Sequence, residues 1–147
     1  MLCQNNVCFQ IEQNPNPDIQ ALTQFSKYIS VFDCIHIYAE LSVSDEKVLH
    51  VAAIAAELLD NNEDGVVDDD NVKNELLSKY TIMPVFAYEG SNAEEILFDS
   101  FYDLIDDNNF CAGAVLYNNE IDPSSPGFWG NDASVEEVLH TINACSH

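Results

Sequence analysis

The sequence predicts an α+β fold in which four or five helices pack on a small sheet of about three strands. Helix caps and apolar residues at helical spacing recur along the chain, and three separate runs rich in β-branched and aromatic residues have the length of strands. An oxygen-rich loop of twelve residues between two of the predicted helices adds one EF-hand-like helix–loop–helix. The chain of 147 residues has the length of a single domain.

The first half of the chain predicts three helices and one strand. In order, we expect a polar tail or irregular edge over 1–17, a helix over 18–30, a strand over 31–39, a helix over 44–59 and a short helix over 72–79. The opening is polar and interrupted by prolines, whereas 31–39 is rich in β-branched and aromatic residues. Ser44 is a typical N-cap for the long helix, which is apolar on nearly all sides except at Glu46, His50 and Glu57.

The second half predicts two strands and two helices. In order, we expect a strand over 81–88, a helix over 91–105, a strand over 111–117, a loop over 118–132 and a terminal helix from Ser134. Pro84 has no N–H group, so the strand that contains it is expected at an edge of the sheet. Ser91 with Glu94, and Ser134 with Glu137, match the capping-box pattern of a helix start.

The charge of the chain limits its partners. With 26 acidic and 4 basic residues, the formal net charge is −22. We expect no nucleic-acid partner, because phosphate binding requires lysine and arginine. No apolar run approaches the roughly 18–20 residues of a membrane span. Bound cations would relieve the repulsion among so many carboxylates, although excess acid also maintains solubility without any ion.

The five cysteines leave one thiol free, or linked to another chain, if the others pair. Cys3 and Cys8 could close a small loop, and Cys34 and Cys111 could join two strands, but neither pairing follows from the sequence. Few lysines, many asparagines and a calcium-type loop predict an extracellular, exported protein. Against this, residues 1–20 have neither a charged start nor an apolar signal core.

The most specific motif is the twelve-residue segment 60–71, which has the spacing of a calcium loop. In chain order the expected calcium ligands are Asp60, Asn62, Asp64, Val66 (through its carbonyl), Asp68 and Asn71. Gly65, at position six, permits the sharp turn. Because Asn71 stands where a bidentate glutamate is standard, we expect a dissociation constant of about 10⁻⁴–10⁻³ M. The alternative is an acidic turn that binds no ion.

The terminal helix carries a second candidate metal site. At about 100° per residue, Glu136, His140, Asn143 and His147 lie on one stripe away from the apolar face. A carboxylate and an imidazole four residues apart can reach one ion, and zinc accepts both ligand types. The expected zinc ligands are therefore Glu136, His140 and His147. The alternative is a solvated helix face, with Glu137 as a capping residue.

The run Glu136-Glu137-Val138-Leu139-His140 is similar to the His-Glu-x-x-His motif of zincins, with glutamate in place of the first histidine. This resemblance implies that Glu137 is the catalytic general base of a metal-dependent hydrolase. His147 lies seven residues beyond His140, whereas the extended metzincin pattern places its next histidine six residues on, with a glycine in between.

A wider resemblance covers residues 55–147. Its segments are Ala55-Ala56-Glu57-Leu58-Leu59-Asp60, Gly65-Val66-Val67-Asp68, Leu116-Tyr117-Asn118-Asn119-Glu120-Ile121-Asp122-Pro123, Trp129-Gly130 and the terminal helix. They resemble a family of uncharacterised, often exported calcium-loop proteins with an EF-hand-like or dockerin-like loop. The resemblance implies that family members continue past this helix, so that the chain is a short form or a fragment. It implies no established activity.

These observations predict a small acidic calcium-binding protein with a structural, extracellular role, and they favour a protein that is not an enzyme. The strands over 31–39 and 81–88, if they lie at sheet edges, would add to a neighbour's strand and form a homo-oligomer or fibre. The alternative function is a zincin-like metal-dependent hydrolase, active or degenerate. A calcium sensor is a third hypothesis, which a single imperfect loop disfavours.

Overall fold

The computed structural model describes residues 2–4, 7–124 and 132–147, without the side chains of 2–4, 7, 107 and 108. In chain order the strands and α-helices are β1 (Leu2–Gln4), β2 (Val7–Phe9), β3 (Glu12–Gln13), β4 (Lys27–Val31), β5 (Ile35–Ala39), α1 (Asp45–Leu59), α2 (Asp70–Ser78), β6 (Tyr80–Phe86), α3 (Asn92–Asp99), α4 (Phe101–Asn108), β7 (Phe110–Cys111), β8 (Leu116–Tyr117) and α5 (Ser134–Cys145). Short 3-10 helices span Gln20–Leu22 and Asn118–Glu120. None of the helices described is long and apolar enough to cross a membrane.

The main sheet is mixed and has six strands. β3, β4 and β5 are antiparallel neighbours, β6 is parallel to β5, and β7 and β8 both pair in parallel with β6. β1 and β2 form a separate hairpin. The α+β class is confirmed, and the described residues contain five α-helices. The prediction of about three strands was wrong, because several strands are only two residues long and give no sequence signal.

Helices cover both faces of this sheet. On one face, α1, α2 and α5 pack on side chains such as Ile37 of β5 and Val85 of β6. On the other face, α3, α4 and the Gln20–Leu22 helix pack on Tyr38 and Phe86. Every residue of β5 is buried, as is nearly all of β6. A strand that is buried on both faces reads as a continuous apolar run without alternation.

The two crossover connections of the sheet have opposite hands. β5 connects to β6 through α1 and α2 on one face, and β6 connects to β7 through α3 and α4 on the other, while the strand order advances in one direction. One connection is therefore left-handed, which is rare. The chain leaves the carboxyl ends of β5 and β6 towards opposite faces of the sheet. Glu40, which follows β5, connects the ends of the two strands, because its carboxylate accepts hydrogen bonds from Ala87 N–H (2.6 Å) and the Ser91 hydroxyl (2.9 Å).

Two predictions in the first half of the chain were wrong. The helix expected over 18–30 is replaced by the Gln20–Leu22 helix and then β4, because Lys27–Val31 pairs with β5. The strand expected over 31–39 begins only at Ile35, because β5 is Ile35–Ala39 and residues 32–34 form the turn between β4 and β5. This turn holds Phe32 and Asp33 at φ 54° and 57°. Two successive residues with positive φ reverse the chain tightly, as in the turns that hairpins favour.

The expected edge position of the Pro84 strand was also wrong, because β6 is central. Val85 O accepts a hydrogen bond from Glu40 N (3.1 Å) on the β5 side, so the Pro84 nitrogen faces the opposite side. On that side the neighbouring strand is interrupted between β7 and β8. Pro84 there lines a cavity of about 210 Å³, so its missing N–H breaks no ladder bond.

Several other boundaries differ from expectation. The strand expected over 111–117 is two short strands, and the helix expected over 91–105 is interrupted at Ser100 between α3 and α4. The opening segment contains the β1–β2 hairpin and the edge strand β3. In contrast, the long helix begins after Ser44, whose hydroxyl accepts from Lys47 N (3.3 Å), and it ends at Leu59 as expected.

The cysteine pairing also departs from one expectation. Cys111 forms a disulfide with Cys145, whereas Cys34 is a buried free thiol, so the pairing of Cys34 with Cys111 was wrong. Cys8 is disulfide-bonded, and the backbone of Cys3 lies directly opposite it in the β1–β2 hairpin. The Cys111–Cys145 bridge ties the end of α5 to β7.

Candidate metal centre

The expected calcium loop joins the end of α1 to the start of α2, and Asp60 organises it. The Asp60 side chain is buried, with 4% of the residue exposed. Its two carboxylate oxygens accept hydrogen bonds from Asp64 N (3.1 Å) and Gly65 N (2.7 Å). Gly65 has φ +88°, which L-residues rarely adopt. The first residue of the motif therefore closes the turn that its glycine permits.

Three other side chains of the loop also accept hydrogen bonds from its backbone N–H groups. Asn62 Oδ1 accepts from Asp64 N (3.1 Å), and Asp64 Oδ1 accepts from Val66 N (3.0 Å). Asp68 Oδ2 accepts from Asn61 N (2.6 Å), across the loop. As a result, carboxylate oxygens of Asp60, Asp64 and Asp68 all lie within 4.8 Å of one another. Three carboxylates at this separation repel one another unless a cation lies between them.

Core contacts and a helix cap hold the two ends of the loop. Val67 is buried in the main core, and Asp68 N donates to Leu59 O (2.9 Å). Asp69 is the N-cap of α2 and accepts from the backbone N–H of Asn71 (2.9 Å) and Val72 (3.2 Å). The expected ligand Asn71 therefore lies in the first turn of α2, with its side chain exposed.

The donor set of this loop fits a hard cation. Carboxylate, amide and carbonyl oxygens are the ligands that calcium takes, and six to eight of them are normally required. The six expected ligands, which are Asp60, Asn62, Asp64, Val66, Asp68 and Asn71, supply only oxygen. Val66 is more than half exposed, and only its backbone carbonyl is an expected ligand.

The second candidate cluster lies on the outer face of α5. Ligand atoms of Glu136, Glu137 and His140 lie within 4.8 Å of one another, and Glu137 Oε1 is 3.6 Å from His140 Nδ1. Burial raises the pKa of Glu137; His140 opposes this effect, while Glu136 and Glu120 add to it. The cluster therefore places two carboxylates close to a single imidazole.

The composition of this cluster differs from the expected zinc site. His147 lies beyond the end of α5 at Cys145, and its backbone carbonyl accepts from Lys79 Nζ (2.7 Å). The expected stripe required the helix to continue through residue 147, so the structure brings Glu137 rather than His147 to Glu136 and His140. Glu137, which the zincin resemblance implies is a base, here stands among the candidate ligands.

The capping box expected at Ser134 was wrong. The N-cap of α5 is Ala133, and no side chain caps the helix there. Ser134 is the first helical residue, and its hydroxyl donates to Asp132 Oδ1 (2.6 Å). Without a cap to form, the Glu137 side chain is placed beside His140.

A buried hydrogen-bonded pair of histidine and aspartate before α5 was not predicted from the sequence. His50 Nε2 of α1 lies 2.7 Å from Asp132 Oδ2, whose side chain is fully buried. Desolvation alone would raise the pKa of Asp132, but hydrogen bonds from Ser134 and His50, and from the backbone of Asp122 and Ser134, outweigh it and lower that pKa. The sequence separation of 82 residues explains why no local pattern revealed this pair.

The buried carboxylate of Glu94 has partners that the sequence analysis did not predict. Glu94 accepts from Gly90 N (2.8 Å) and from the Tyr117 hydroxyl, and its residue is 7% exposed. Burial and the adjacent Glu94 raise the pKa of Tyr117. Ser91 caps α3 as expected, but Glu94 bonds the N–H of Gly90 instead of that of Ser91. The Glu94 carboxylate therefore joins β8 to α3.

Comparison with known proteins supports neither candidate metal site and contradicts neither. No protein-family model matches the chain, and no curated protein and no solved structure is significantly similar to it. The resemblances to zincins and to calcium-loop proteins therefore stay predictions.

Proposed function

We propose that this is a calcium-binding protein in which the ion has a structural role. One observation carries the proposal: the carboxylates of Asp60, Asp64 and Asp68 converge within 4.8 Å in a loop whose backbone N–H groups already orient them. An ion bound there would neutralise converging charge in a chain of net charge −22 and would hold α2 against α1.

A structural role is favoured over a sensor role by the way in which the loop is anchored. Val67 fixes the middle of the loop in the main core, and α1 is buried along most of its length. A sensor exposes an apolar groove when its helices separate, whereas the buried face of α1 is packed against the sheet. Asn71 in place of a bidentate glutamate favours modest affinity, which suits an environment rich in calcium.

The proposal is tested by thermal and urea unfolding in calcium and in EGTA. At 100 times the dissociation constant, calcium should add about 2.7 kcal/mol to the free energy of unfolding. Asp60→Ala should abolish this increment, and Asp64→Asn should reduce it. Asp103→Asn is the matched control, because it removes one exposed carboxylate outside the loop. Equal stability of the unmodified protein in calcium and EGTA would contradict the proposal.

A zincin-like hydrolase is the second proposal, supported by the Glu136, Glu137 and His140 cluster on α5. Elemental analysis after dialysis separates the two: stoichiometric zinc that is lost in His140→Ala supports a zinc site, and calcium alone supports the first proposal. Peptide hydrolysis that is lost in Glu137→Gln while zinc is retained would assign Glu137 as the base. If zinc is lost as well, Glu137 is a ligand.

The extracellular location and self-assembly also stay proposals. The Cys111–Cys145 disulfide supports an oxidising compartment. The expected route to a homo-oligomer or fibre was strand addition at 31–39 and 81–88, but β5 and β6 are paired on both sides. Association would therefore use another edge, such as β3. Sedimentation velocity in calcium and in EGTA tests whether the chain associates.

A further inference from the structure

An apolar cavity lies where the edge strand of the main sheet is interrupted between β7 and β8. It has a volume of about 210 Å³, is partly open to solvent, and is lined by Pro84 of β6, Leu97 and Phe98 of α3, Phe101 of α4 and the segment 112–115. None of these lining side chains carries a polar atom, so water inside the cavity finds few hydrogen-bond partners there. An apolar group that displaces such poorly held water gains affinity.

The wall that segment 112–115 forms is fixed at three points. At one end, β7 carries the Cys111–Cys145 disulfide, and at the other end β8 pairs with β6. Between these ends, Gly113 packs so closely against α5 that an added Cβ would lie 2.7 Å from Ala144 Cβ. The cavity is therefore pre-formed, as most ligand sites in proteins are.

The volume of the cavity limits the size of its ligand. An apolar protein cavity of about 150 Å³ is large enough to bind benzene, whereas sites for drug-sized ligands measure about 300–1,000 Å³. A volume of about 210 Å³ lies between the two and suits one aromatic ring with a short chain.

The helices beside the cavity carry negative charge only. Residues 92–108, which span α3 and α4, contain no lysine, arginine or histidine, and all four basic residues of the chain belong to β4, α1, α2 and the C-cap of α2. Asp99 and Asp103 are exposed and lie within two positions of Phe98 and Phe101. Both the carboxylates and the faces of the two aromatic rings attract a cation. The acidic residues of 92–108 are Glu94, Glu95, Asp99, Asp103, Asp106 and Asp107.

We propose that this cavity binds a small aromatic amine, with the ring inside the cavity and the ammonium group at its mouth. The ring replaces water against Leu97, Phe101 and segment 112–115. The ammonium group lies near the carboxylates of α3 and α4 and the ring of Phe98, which is 51% exposed. This site is separate from the calcium loop, because α3 and α4 pack on the face of the sheet opposite to α1 and α2. It therefore does not rest on the calcium proposal.

The experiment is an NMR titration of the full, oxidised chain with 2-phenylethylammonium, followed at the methyl groups of Ala112, Ala114 and Val115. We expect saturable shifts of these resonances. The neutral 2-phenylethanol should bind about two- to fivefold more weakly. The anionic 3-phenylpropanoate should bind about tenfold more weakly or worse, because its carboxylate meets like charges. Absence of saturable shifts would overturn the site, and equal binding by 3-phenylpropanoate would overturn the assignment of a cationic ligand.

Two variants with matched controls locate the ligand. Phe98→Ala should weaken binding of 2-phenylethylammonium about fivefold, whereas Leu41→Ala, at a position that is 71% exposed and outside the cavity, should leave it unchanged. Asp99→Asn should weaken binding more than Glu46→Gln, which removes an exposed carboxylate of α1. Equal effects within either pair would contradict the site. Cavity methyl shifts that change on dilution of the protein without ligand would show that a second copy of the chain covers the cavity, and this result would also overturn the proposal.

Discussion

The loop 60–71 and the outer face of α5 each bring three carboxylate or imidazole side chains within 4.8 Å of one another, but they hold them in different ways. In the loop, Asp60 and Asp64 are oriented by N–H groups of the loop itself. On α5, Glu137 and His140 are neighbours only because one helical turn separates them. The loop is therefore organised locally, whereas the α5 face depends on how the rest of the fold places and holds that helix.

This difference predicts how substitutions at each cluster affect ion binding and stability. Substitutions within the loop should alter ion binding and leave the core intact. Substitutions around α5 should lower the free energy of unfolding and leave the loop's affinity unchanged. The contacts that place α5 are the His50–Asp132 pair, the Cys111–Cys145 disulfide and the close approach of Gly113.

The largest effect is expected for Asp132→Ala, measured by urea unfolding in saturating calcium. The change leaves His50 and the Ser134 hydroxyl without their buried partner, so we expect a loss of about 3 kcal/mol. Calcium affinity measured on the folded protein should not change. Asp106→Ala, at an exposed position of α4, is the control and should change stability by less than about 0.5 kcal/mol. A similar effect of both substitutions would show that the pair does not hold α5.

Gly113→Ala is expected to destabilise the protein by about 1–3 kcal/mol. An added Cβ would lie 2.7 Å from Ala144 Cβ and 2.8 Å from Thr141 Cα, so the backbone of α5 would have to move. Thermal unfolding measures the loss, and calcium titration of the folded variant should give the affinity of the unmodified chain. Unchanged stability would mean that α5 is free to shift, against the comparison above.

Gly65→Ala and Gly90→Ala form a matched pair that isolates the loop. Both glycines have positive φ, +88° and +83°, and an added Cβ would have open space at either position. Each substitution should therefore cost roughly 1–2 kcal/mol from backbone strain alone, measured by unfolding in EGTA. Only Gly65→Ala should also reduce the stabilisation that calcium provides. If Gly90→Ala reduces it equally, the effect is not specific to the loop.

Asn71→Glu should increase calcium affinity about tenfold, because it supplies the bidentate carboxylate of a standard position twelve. In EGTA the variant should be slightly less stable, since it adds a charge beside Asp69 and Asp70. Asn74→Glu adds the same charge to an exposed position of α2 and is the control. A larger gain in calcium affinity from Asn74→Glu would show that position 71 does not supply the last ligand of the loop.

The smallest effect is expected in acid. Hydrogen bonds lower the pKa of Asp132 below its ordinary value of 3.8. A carboxyl group with a lowered folded-state pKa adds stability that is complete above its unfolded pKa and is lost as the pH falls through the folded one. Asp132→Asn should therefore make the stability curve less steep below about pH 4. If the stability of Asp132→Asn falls as steeply below this pH as that of the unmodified protein, protonation of this group is not coupled to folding.

The parts of the fold that were predictable are those with strong local signals. Ser44 and the apolar run after it defined α1, and Asp60 to Asp68 defined the loop that follows, because caps and oxygen spacing act over a few residues. The errors fall where partners are distant in sequence. β4 falls largely within the helix predicted over 18–30, because only its pairing with β5 makes Lys27–Val31 extended. Pro84 indicated an edge because the gap between β7 and β8 is invisible in a single segment.

By itself, the sequence determined the acidic character of this protein, its α+β class, the long helix after Ser44 and the oxygen spacing of segment 60–71. Each of these depends on composition or on residues within one or two turns of each other. Only the tertiary structure decided that β6 is central, that Asp132 pairs with His50, and that Lys79 reaches the end of α5. The last two contacts join residues 82 and 66 positions apart, so no local sequence pattern encodes them.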